Sequence, residues 1–262
     1  MTLTTPQSTL PSILAAQPQN TALRRRTTDV YFTTILTQYT AREMTNDGDS
    51  LNACLGMLNL FQRHLVSSGF NWGLPLGVFP QSLRWYHMRW VKPRRRPGFP
   101  SWSFVGWAGE AAYTDGLILE NEPSLAHLID LKVDLGVEFV RVDDKVLTLK
   151  GHVLTLEIRN QPFNDGYVPE TDMLVGMLQE GSAVHKNTLP EGVYQFVVVE
   201  RLWFRKAEGA KMRHTVYLLM LGDQEGGVPT RRAMVRLFVE PDVVETDDYH
   251  GLFRRQDDIQ IV

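Results

Sequence analysis

Apolar residues recur at helical spacing in the first quarter of the chain. Tyr31, Ile35 and Tyr39 stand four residues apart and share one face of a helix. A second stripe follows Asp49 and Ser50, and either residue can cap a helix because its side-chain oxygen accepts the free backbone N–H groups of the first turn. The second stripe consists of Leu51, Leu55, Leu58, Phe61 and Leu65. The pattern therefore predicts two helices before residue 70.

Residues 70–110 break this regular pattern. They hold five of the six tryptophans, namely Trp72, Trp85, Trp90, Trp102 and Trp107. Pro93, Pro97 and Pro100 impose irregular backbone on the same stretch, because proline fixes φ and lacks an N–H donor. The pattern predicts a loop-rich region held together by large aromatic side chains, in which SLRWYHMRWV is either a short helix or an extended segment.

From residue 116 onward the alternation is that of strands. In KVLTLKGHVLTLEIR the apolar positions change parity between Leu149 and Leu154, which predicts a bulge or turn at Lys150 and Gly151. GVYQFVVVERLWF and HTVYLLML are nearly continuous in apolar residues, as strands buried on both faces are. The polar RKAEGAKMR between them predicts a hairpin. RRAMVRLFVE alternates and predicts a third, half-exposed strand, and the tail predicts a final one.

The order of these elements predicts an α+β fold. An N-terminal helical, Trp/Pro-rich part, residues 29–115, precedes a β-rich, mostly antiparallel part, residues 116–262. The boundary near residue 115 is a soft one, and one continuous fold fits the pattern equally well. Residues 1–28 are predicted to be a disordered leader. Their cluster of arginines and lack of acidic residues also fit a mitochondrial transit peptide, but three prolines argue against the amphipathic helix that such a peptide needs.

Composition then narrows the class of function. The chain has 262 residues, of which 22% are charged, and its net charge is -3, so the whole protein is not an electrostatic nucleic-acid binder. Cys54 is the only cysteine, which excludes an internal disulfide and favours a reducing compartment. No apolar stretch is long enough to span a bilayer. We therefore expect a cytoplasmic protein with no nucleic acid or membrane partner.

The candidate chemistry is sparse. The seven histidines are scattered singly, and no pair has the helical spacing of a metalloprotease site. Neighbouring acidic residues such as Asp143 and Asp144 face opposite ways on a strand and cannot form an acid/base pair. Cys54 lies beside an apolar stripe, where we expect a small buried side chain rather than a reactive thiol. NDGDS lacks the spaced oxygens and distal glutamate of a calcium loop. We predict no catalytic, metal or cofactor site.

RRRPGFPSWSFVGWAGE, residues 94–110, is the most unusual stretch of the chain. Arginines interleaved with aromatic rings can bind single-stranded nucleic acid, but this basic run is short and the protein is acidic overall. Exposed tryptophans could instead form a sugar platform or a protein hot spot. The third interpretation, which we favour, makes Trp102 and Trp107 buried anchors that hold an irregular loop in place.

Three segments together resemble a known family. YTAREMTNDGDSLNACLGML, GLPLGVFPQSLRW and RRRPGFPSWSFVGWAGE resemble, in order and spacing, the region that follows the HET domain in fungal heterokaryon incompatibility proteins. The matching positions are Tyr39, Thr40, Arg42, Met44, Thr45, Asp49, Leu51, Ala53, Gly56, Gly73, Leu74, Leu83, Trp85, Pro100, Ser101, Trp102, Ser103 and Phe104. Phe104 stands where the family usually has a second tryptophan, and Met44 where it has leucine. The resemblance covers residues 29 to about 113, and the β-rich part is similar, less specifically, to the variable tail of the family.

The resemblance implies the accessory part of a protein for fungal nonself recognition and programmed cell death. No residues match the HET domain itself, so no enzymatic activity is carried over. We expect non-catalytic recognition or regulation through a protein partner. The candidate structural or interaction residues are Arg42, Asp49, Trp85, Pro100, Trp102 and Trp107. The alternatives are an enzyme of unrecognised class that uses an aromatic-lined cleft between residues 72 and 107, or a truncated remnant without a function.

Overall fold

The computed structural model describes residues 32–62, 69–88, 91–113, 129–158, 192–205, 208, 213–239 and 250–262. The predicted leader, residues 1–28, lies outside this part of the chain. Within it, mostly antiparallel sheet is combined with a few helices, which agrees with the predicted α+β class.

The first predicted helix is present as α1, residues 32–40. Its buried face consists of Phe32, Leu36 and Thr40, whereas Ile35 and Tyr39 are only partly buried. The buried face of α1 is therefore shifted by one residue from the predicted face. Phe32 fixes this orientation because its ring packs edge-on against Phe61, with the two centroids 5.3 Å apart.

The second helix, α2, spans Ser50–Gln62 and follows a 3-10 turn over Asp47–Asp49. The predicted cap is wrong. The Asn46 side chain accepts the Gly48 N–H at 3.1 Å and begins the turn. The Ser50 hydroxyl instead donates to the Val105 carbonyl at 2.9 Å, which ties the start of α2 to the Trp/Pro-rich segment.

Helix α2 buries much of the predicted stripe, together with Cys54 beside it. Cys54, Leu58 and Phe61 are buried, Leu51 is partly buried, and Leu55 is 42% exposed. The last residue of the predicted stripe, Leu65, lies outside the described residues. Because the helix is attached through Ser50, the side chains that follow it at four-residue spacing turn inward and Leu55 turns out.

Short elements make up the Trp/Pro-rich segment between residues 69 and 113. Its strands are β1 (Phe70–Asn71), β2 (Leu74–Pro75), β3 (Trp85–His87), β4 (Arg94–Arg95), β5 (Trp107–Ala108) and β6 (Ala111–Tyr113). Its 3-10 turns are Leu76–Val78, Gln81–Arg84 and Phe104–Gly106. The strands pair antiparallel as β1 with β2, β3 with β6, and β4 with β5. In SLRWYHMRWV, the described residues 82–88 are the end of a 3-10 turn followed by the strand Trp85–His87.

The described residues of the β-rich part form one antiparallel sheet of seven strands. They are β7 (Ile129–Leu135), β8 (Val137–Asp143), β9 (Val146–Ile158), β10 (Gly192–Arg205), β11 (Arg213–Glu225), β12 (Val228–Val239) and β13 (Arg254–Ile261). Their order is β12-β11-β10-β9-β13, with β7 beside β10 and β8 beside β9. The predicted hairpin is the β10–β11 pair, and the predicted third and final strands are β12 and β13.

The sheet divides where β9 and β10 separate. Strands β9 and β10 pair with each other along the second half of β9. The first half of β9 pairs with β8 instead, and the second half of β10 pairs with β7. Gly136 joins β7 to β8 at this point, where its N–H donates to the Val199 carbonyl at 3.0 Å and its carbonyl accepts the His152 N–H at 2.9 Å. A Cβ at Gly136 would lie 2.1 Å from the Val198 oxygen, and one at Gly151 would lie 2.2 Å from the Gly136 oxygen. Only glycine fits at either position.

Strand β9 runs unbroken through Lys150 and Gly151, so the predicted bulge or turn within it is wrong. The parity of its apolar residues changes because both faces are buried. Leu149 belongs to one apolar cluster, and Leu154 belongs to another on the opposite face. The irregularities in register lie in the neighbouring strands β8 and β13, opposite this part of β9.

The larger cluster joins the two parts of the chain. It contains Phe32 and Trp102 from the helical, Trp/Pro-rich part and Leu149 and Val197 from the sheet. The smaller cluster covers the other face of β9–β12. The Trp/Pro-rich segment is therefore packed on one face of the sheet, in contact with the same core.

Candidate functional site

The arginines that open the segment 94–110 are bonded to the protein itself. Arg94 pairs with both carboxylate oxygens of Asp47, at 2.6 and 3.0 Å, and Arg96 Nε lies 3.2 Å from the same group. Hydrogen bonds from Arg94, and then from Arg96, lower the pKa of Asp47 to about 2. Arg96 is buried and also donates to the Ser50 hydroxyl and the Trp107 carbonyl. These two side chains thus fasten the segment to the turn before α2.

Arg95 closes the loop that follows it. Its Nη1 donates to the carbonyls of Arg96 and Gly106, at 2.8 and 2.9 Å, and its Nη2 donates to the Phe99 carbonyl at 2.5 Å. The guanidinium carbon lies 5.7 Å from the centre of the Trp107 ring. A planar fork with several donors is suited to this role, because one side chain satisfies three carbonyls of an irregular loop.

Trp85 and Trp102 form the buried centre of the segment. Each is 1% exposed. The Trp85 indole N–H donates to the Trp102 carbonyl at 3.0 Å, and the Trp102 N–H donates to the Lys145 carbonyl at 2.8 Å. Trp107 is partly exposed, and its N–H donates to the Ser101 carbonyl at 2.8 Å. Trp102 is thus the buried anchor that we expected, whereas Trp107 anchors the loop from its edge.

Pro100 and its neighbours join this centre to the last strands. Pro100 is buried, and its carbonyl oxygen would lie 2.2 Å from a Cβ at Gly106, so the loop closes on a glycine. The Ser101 hydroxyl accepts the Arg231 N–H of β12 at 2.7 Å and donates to the Val262 carbonyl after β13. The motif Pro-Ser-Trp-Ser therefore contacts both edge strands of the main sheet.

Arg231 is a structural residue that the sequence analysis missed. Its guanidinium lies 3.5 Å from the centre of the Trp85 ring and donates to the carbonyls of Leu83, at 2.8 Å, and Trp85. The side chain is fully buried, and this burial lowers its pKa to about 9. The only hint in the sequence is the pair of arginines that begins RRAMVRLFVE, and a charged residue in an alternating strand normally indicates an exposed face.

A second buried ionic group was also missed. Arg84 Nε lies 3.5 Å from the Glu200 carboxylate, and both side chains are buried. Gln81 donates to the other Glu200 oxygen at 3.2 Å, and the Tyr217 ring lies 5.1 Å from the Arg84 guanidinium. Burial raises the pKa of Glu200, and the charge of Arg84 opposes this rise. The group joins the 3-10 turn Gln81–Arg84 to the point where the sheet divides.

Cys54 is placed as expected for a small buried side chain. Its sulfur lies 3.1 Å from the Leu51 carbonyl oxygen, and burial raises the pKa of the thiol to about 11. Tyr39 lies beside it and donates to the Ser50 carbonyl at 2.5 Å, and burial raises its pKa to about 12. A thiol that stays protonated near neutral pH is a poor nucleophile.

A groove runs along the outer side of the Trp/Pro-rich segment, with a volume of about 920 Å³. We call it the basic groove. It is lined by residues 40–44, 91–96 and 108–110. Arg42 is exposed in this groove, just after α1. Asp49 is exposed in the turn before α2 and is not among the lining residues, so the structure does not bring these two predicted site residues together.

His87 lies behind one wall of the groove. Its ring packs against Trp85 and Trp107, with centroid distances of 5.3 and 5.7 Å. A Cβ at Gly109, a groove residue, would lie 3.5 Å from its Nδ1. Burial, assisted by the charge of Arg231, lowers the pKa of His87 to about 4. The imidazole is therefore neutral near pH 7, and both of its nitrogens are shielded from solvent.

Among the residues that the structure describes, no three His, Cys, Asp or Glu side chains are grouped so that they could hold a metal ion. None of the helices described is both long and apolar enough to cross a lipid bilayer. No family model, curated protein or solved structure matches the chain.

Proposed function

We propose that this chain is a non-catalytic recognition or regulatory part of a protein of the fungal heterokaryon incompatibility type, and that it acts in the cytoplasm through a protein partner. The family assignment rests on the three sequence segments that resemble the region after the HET domain. A cytoplasmic location is supported by the single buried cysteine, which suits a reducing compartment.

The observation that carries the proposal is the place of the shared motif in the fold. Trp85, Pro100 and Trp102 are buried, and contacts of Trp85 and Trp102, with Arg231 and the Lys145 carbonyl, join the Trp/Pro-rich segment to the β-rich part. Residues of a catalytic site are instead expected to converge on a solvent-accessible pocket. The motif therefore maintains a shape, and the surface that this shape presents is the basic groove.

The proposal is tested by fusing fungal cells. The full chain is expressed in one of two filamentous fungal strains, and the fraction of fused cells that die is counted with a vital dye. We expect expression to change this fraction relative to a Trp102→Ala variant, whose fold should be less stable. Equal fractions of dead fused cells with and without the intact chain would overturn the proposal.

His87 favours a second candidate function, an enzyme that uses the wall of the groove behind which His87 packs against Trp85 and Trp107. A neutral imidazole next to a groove has a free lone pair that can accept a proton, but a pKa of about 4 makes His87 a weak base near pH 7. Because both ring nitrogens are shielded from solvent, a substrate would reach them only after the walls move, and we therefore favour recognition. Chromogenic peptide, ester, phosphate and glycoside substrates test the alternative. Turnover that disappears in His87→Gln would establish an enzyme, and turnover no faster than the blank would exclude these four reactions.

A further inference from the structure

The charge of the basic groove is opposite to that of the whole protein. Five cationic side chains line it, namely Arg42, Lys92, Arg94, Arg95 and Arg96. Among the described lining residues, the carboxylates are Glu43 and Glu110. The complete chain has a net charge of -3. A concave surface lined mainly by one sign of charge attracts ligands of the opposite sign.

The five cations differ in what they already bind. Arg94, Arg95 and Arg96 have the carboxylate and carbonyl partners described above, and they build the wall. Arg42 and Lys92 are exposed, and neither side chain makes a hydrogen bond or ion pair with the described part of the chain. These two side chains can therefore bind an external anion without breaking a hydrogen bond or ion pair to the described residues.

The remaining lining determines the class of ligand. Met44, Val91, Pro93 and Ala108 supply apolar surface between the charges. None of the described lining residues is aromatic, so this described part of the groove offers no stacking platform of the kind that single-stranded nucleic acid uses. Its volume is at the upper end of those of small-ligand pockets. A ligand with both carboxylates and apolar side chains matches these features, and a free small anion uses only the charges.

We propose that the basic groove binds a short acidic segment of a partner protein, with carboxylates of the segment paired to Arg42 and Lys92. This proposal rests on the proposed recognition function and identifies the surface that performs it. Arg42 is a donor fork suited to a carboxylate, and Lys92 supplies a second positive charge. Because both are exposed, their pairing should weaken as salt rises.

The test begins with a phage library of short random peptides selected on the intact chain. We expect the recovered peptides to be enriched in Asp and Glu and to contain apolar residues. The strongest binder is then synthesised, labelled and titrated by fluorescence anisotropy. The Kd of this peptide for the double variant Arg42→Glu/Lys92→Glu should be at least about tenfold higher than for the native chain. Its Kd for each single variant should rise by a smaller factor. The control Lys132→Glu makes the same charge change as each single variant, on an exposed residue of β7 away from the groove. It should leave the Kd of the peptide unchanged.

Three results would overturn the proposal. The first is a selection that recovers no peptide or shows no acidic enrichment. The second is a peptide that binds the double variant as tightly as the native chain. The third is displacement of the peptide by inorganic phosphate or an oligonucleotide at a lower concentration than by the unlabelled peptide, which would indicate a small-anion or nucleic-acid site. The cell-fusion experiment measures the effect of the chain on cell death, whichever surface binds the partner. A failure of peptide binding to the basic groove therefore does not overturn the proposed recognition function.

Discussion

Trp102 is a buried residue of the Trp/Pro-rich segment whose indole N–H donates to the turn between β8 and β9. We expect Trp102→Ala to lower the free energy of unfolding by about 3–5 kcal/mol, because it removes a buried ring and leaves the Lys145 carbonyl without its donor. Urea denaturation near pH 7 measures the loss. Trp107→Ala is the control, and the loss should be smaller because its ring is partly exposed. Identical midpoints for Trp102→Ala and the native chain would show that the ring is not an anchor.

The structural role of Arg231 can be tested with a matched control, because the next residue, Arg232, allows the same substitution at a partly exposed position. In Arg231→Lys the charge remains, but an ammonium group cannot both stack on Trp85 and satisfy two carbonyls as the planar guanidinium does. We expect a loss of about 1–3 kcal/mol, the usual cost of an unpaired buried polar group. Arg232→Lys alters a partly exposed side chain and should change stability by less than about 0.5 kcal/mol. Equal effects of the two variants would contradict this role of Arg231.

At the scale of single residues, the sequence showed the aromatic anchors and missed the buried charges. Tryptophans close to prolines in the sequence indicate a packed loop, even when the residues that pack against it are not known. The roles of Arg231 and Glu200 depend instead on partners far away in the chain, since Arg231 bonds to Trp85, 146 positions earlier, and Glu200 to Gln81, 119 positions earlier. No local pattern carries that information. A charge in a strand is therefore interpreted as exposed until the packing is known.

At the scale of elements, alanine substitutions at two glycines, Gly136 where the sheet divides and Gly56 in α2, should change the stability of the chain in opposite directions. Gly136→Ala places a Cβ against the Val198 carbonyl, and because backbone cannot change rotamer we expect a loss of about 1–3 kcal/mol or more. Gly56→Ala in α2 meets no atom within 4 Å and should instead stabilise the chain by about 0.5–1 kcal/mol. Thermal unfolding of both variants measures the signs. A Gly136→Ala protein as stable as the native one would show that the strands do not meet as described.

The strands were easier to predict than the faces of the helices. Uninterrupted apolar runs such as those of β10 and β11 have few alternatives, and the polar linker between them fits only a hairpin. Each helix, however, carries apolar side chains on two adjacent rows, so its own sequence does not decide which row is buried. Contacts from outside the helix decide it, such as that of Ser50 with Val105 in α2. The division of the sheet was not predicted either, because it depends on pairing between distant strands.

At the scale of the whole molecule, buried histidines should make the fold sensitive to mild acid. Burial lowers the pKa of His87 to about 4, and burial with the charge of Arg201 lowers that of His214 to about 3, both from 6.5. The unfolded chain therefore binds more protons than the folded one below pH 6.5. Stability is fully present above pH 6.5 and falls as the pH drops, by up to about 1.4 kcal/mol per pH unit for each histidine.

Urea titrations at several pH values between 7 and 5 measure this slope. His214→Phe keeps a ring against Trp203, whose centroid lies 4.5 Å from that of His214, and removes one titrating group. We expect its stability to fall less steeply with acid than that of the native chain. Parallel slopes for the two proteins would show that His214 does not titrate as described. The comparison uses slopes, so a constant change in stability caused by the substitution does not affect it.

The contact between Ser101 and Val262 has a consequence for synthesis in the cell. It joins positions 161 residues apart, so the Trp/Pro-rich segment leaves the ribosome long before its last partner exists. Native contacts of such long sequence separation slow folding, since loop closure precedes any gain in energy. During that interval, chaperones that bind exposed aromatic side chains have time to reach Trp85 and Trp102. Translation that stops before β13 should therefore yield a chain that is degraded rather than one that accumulates.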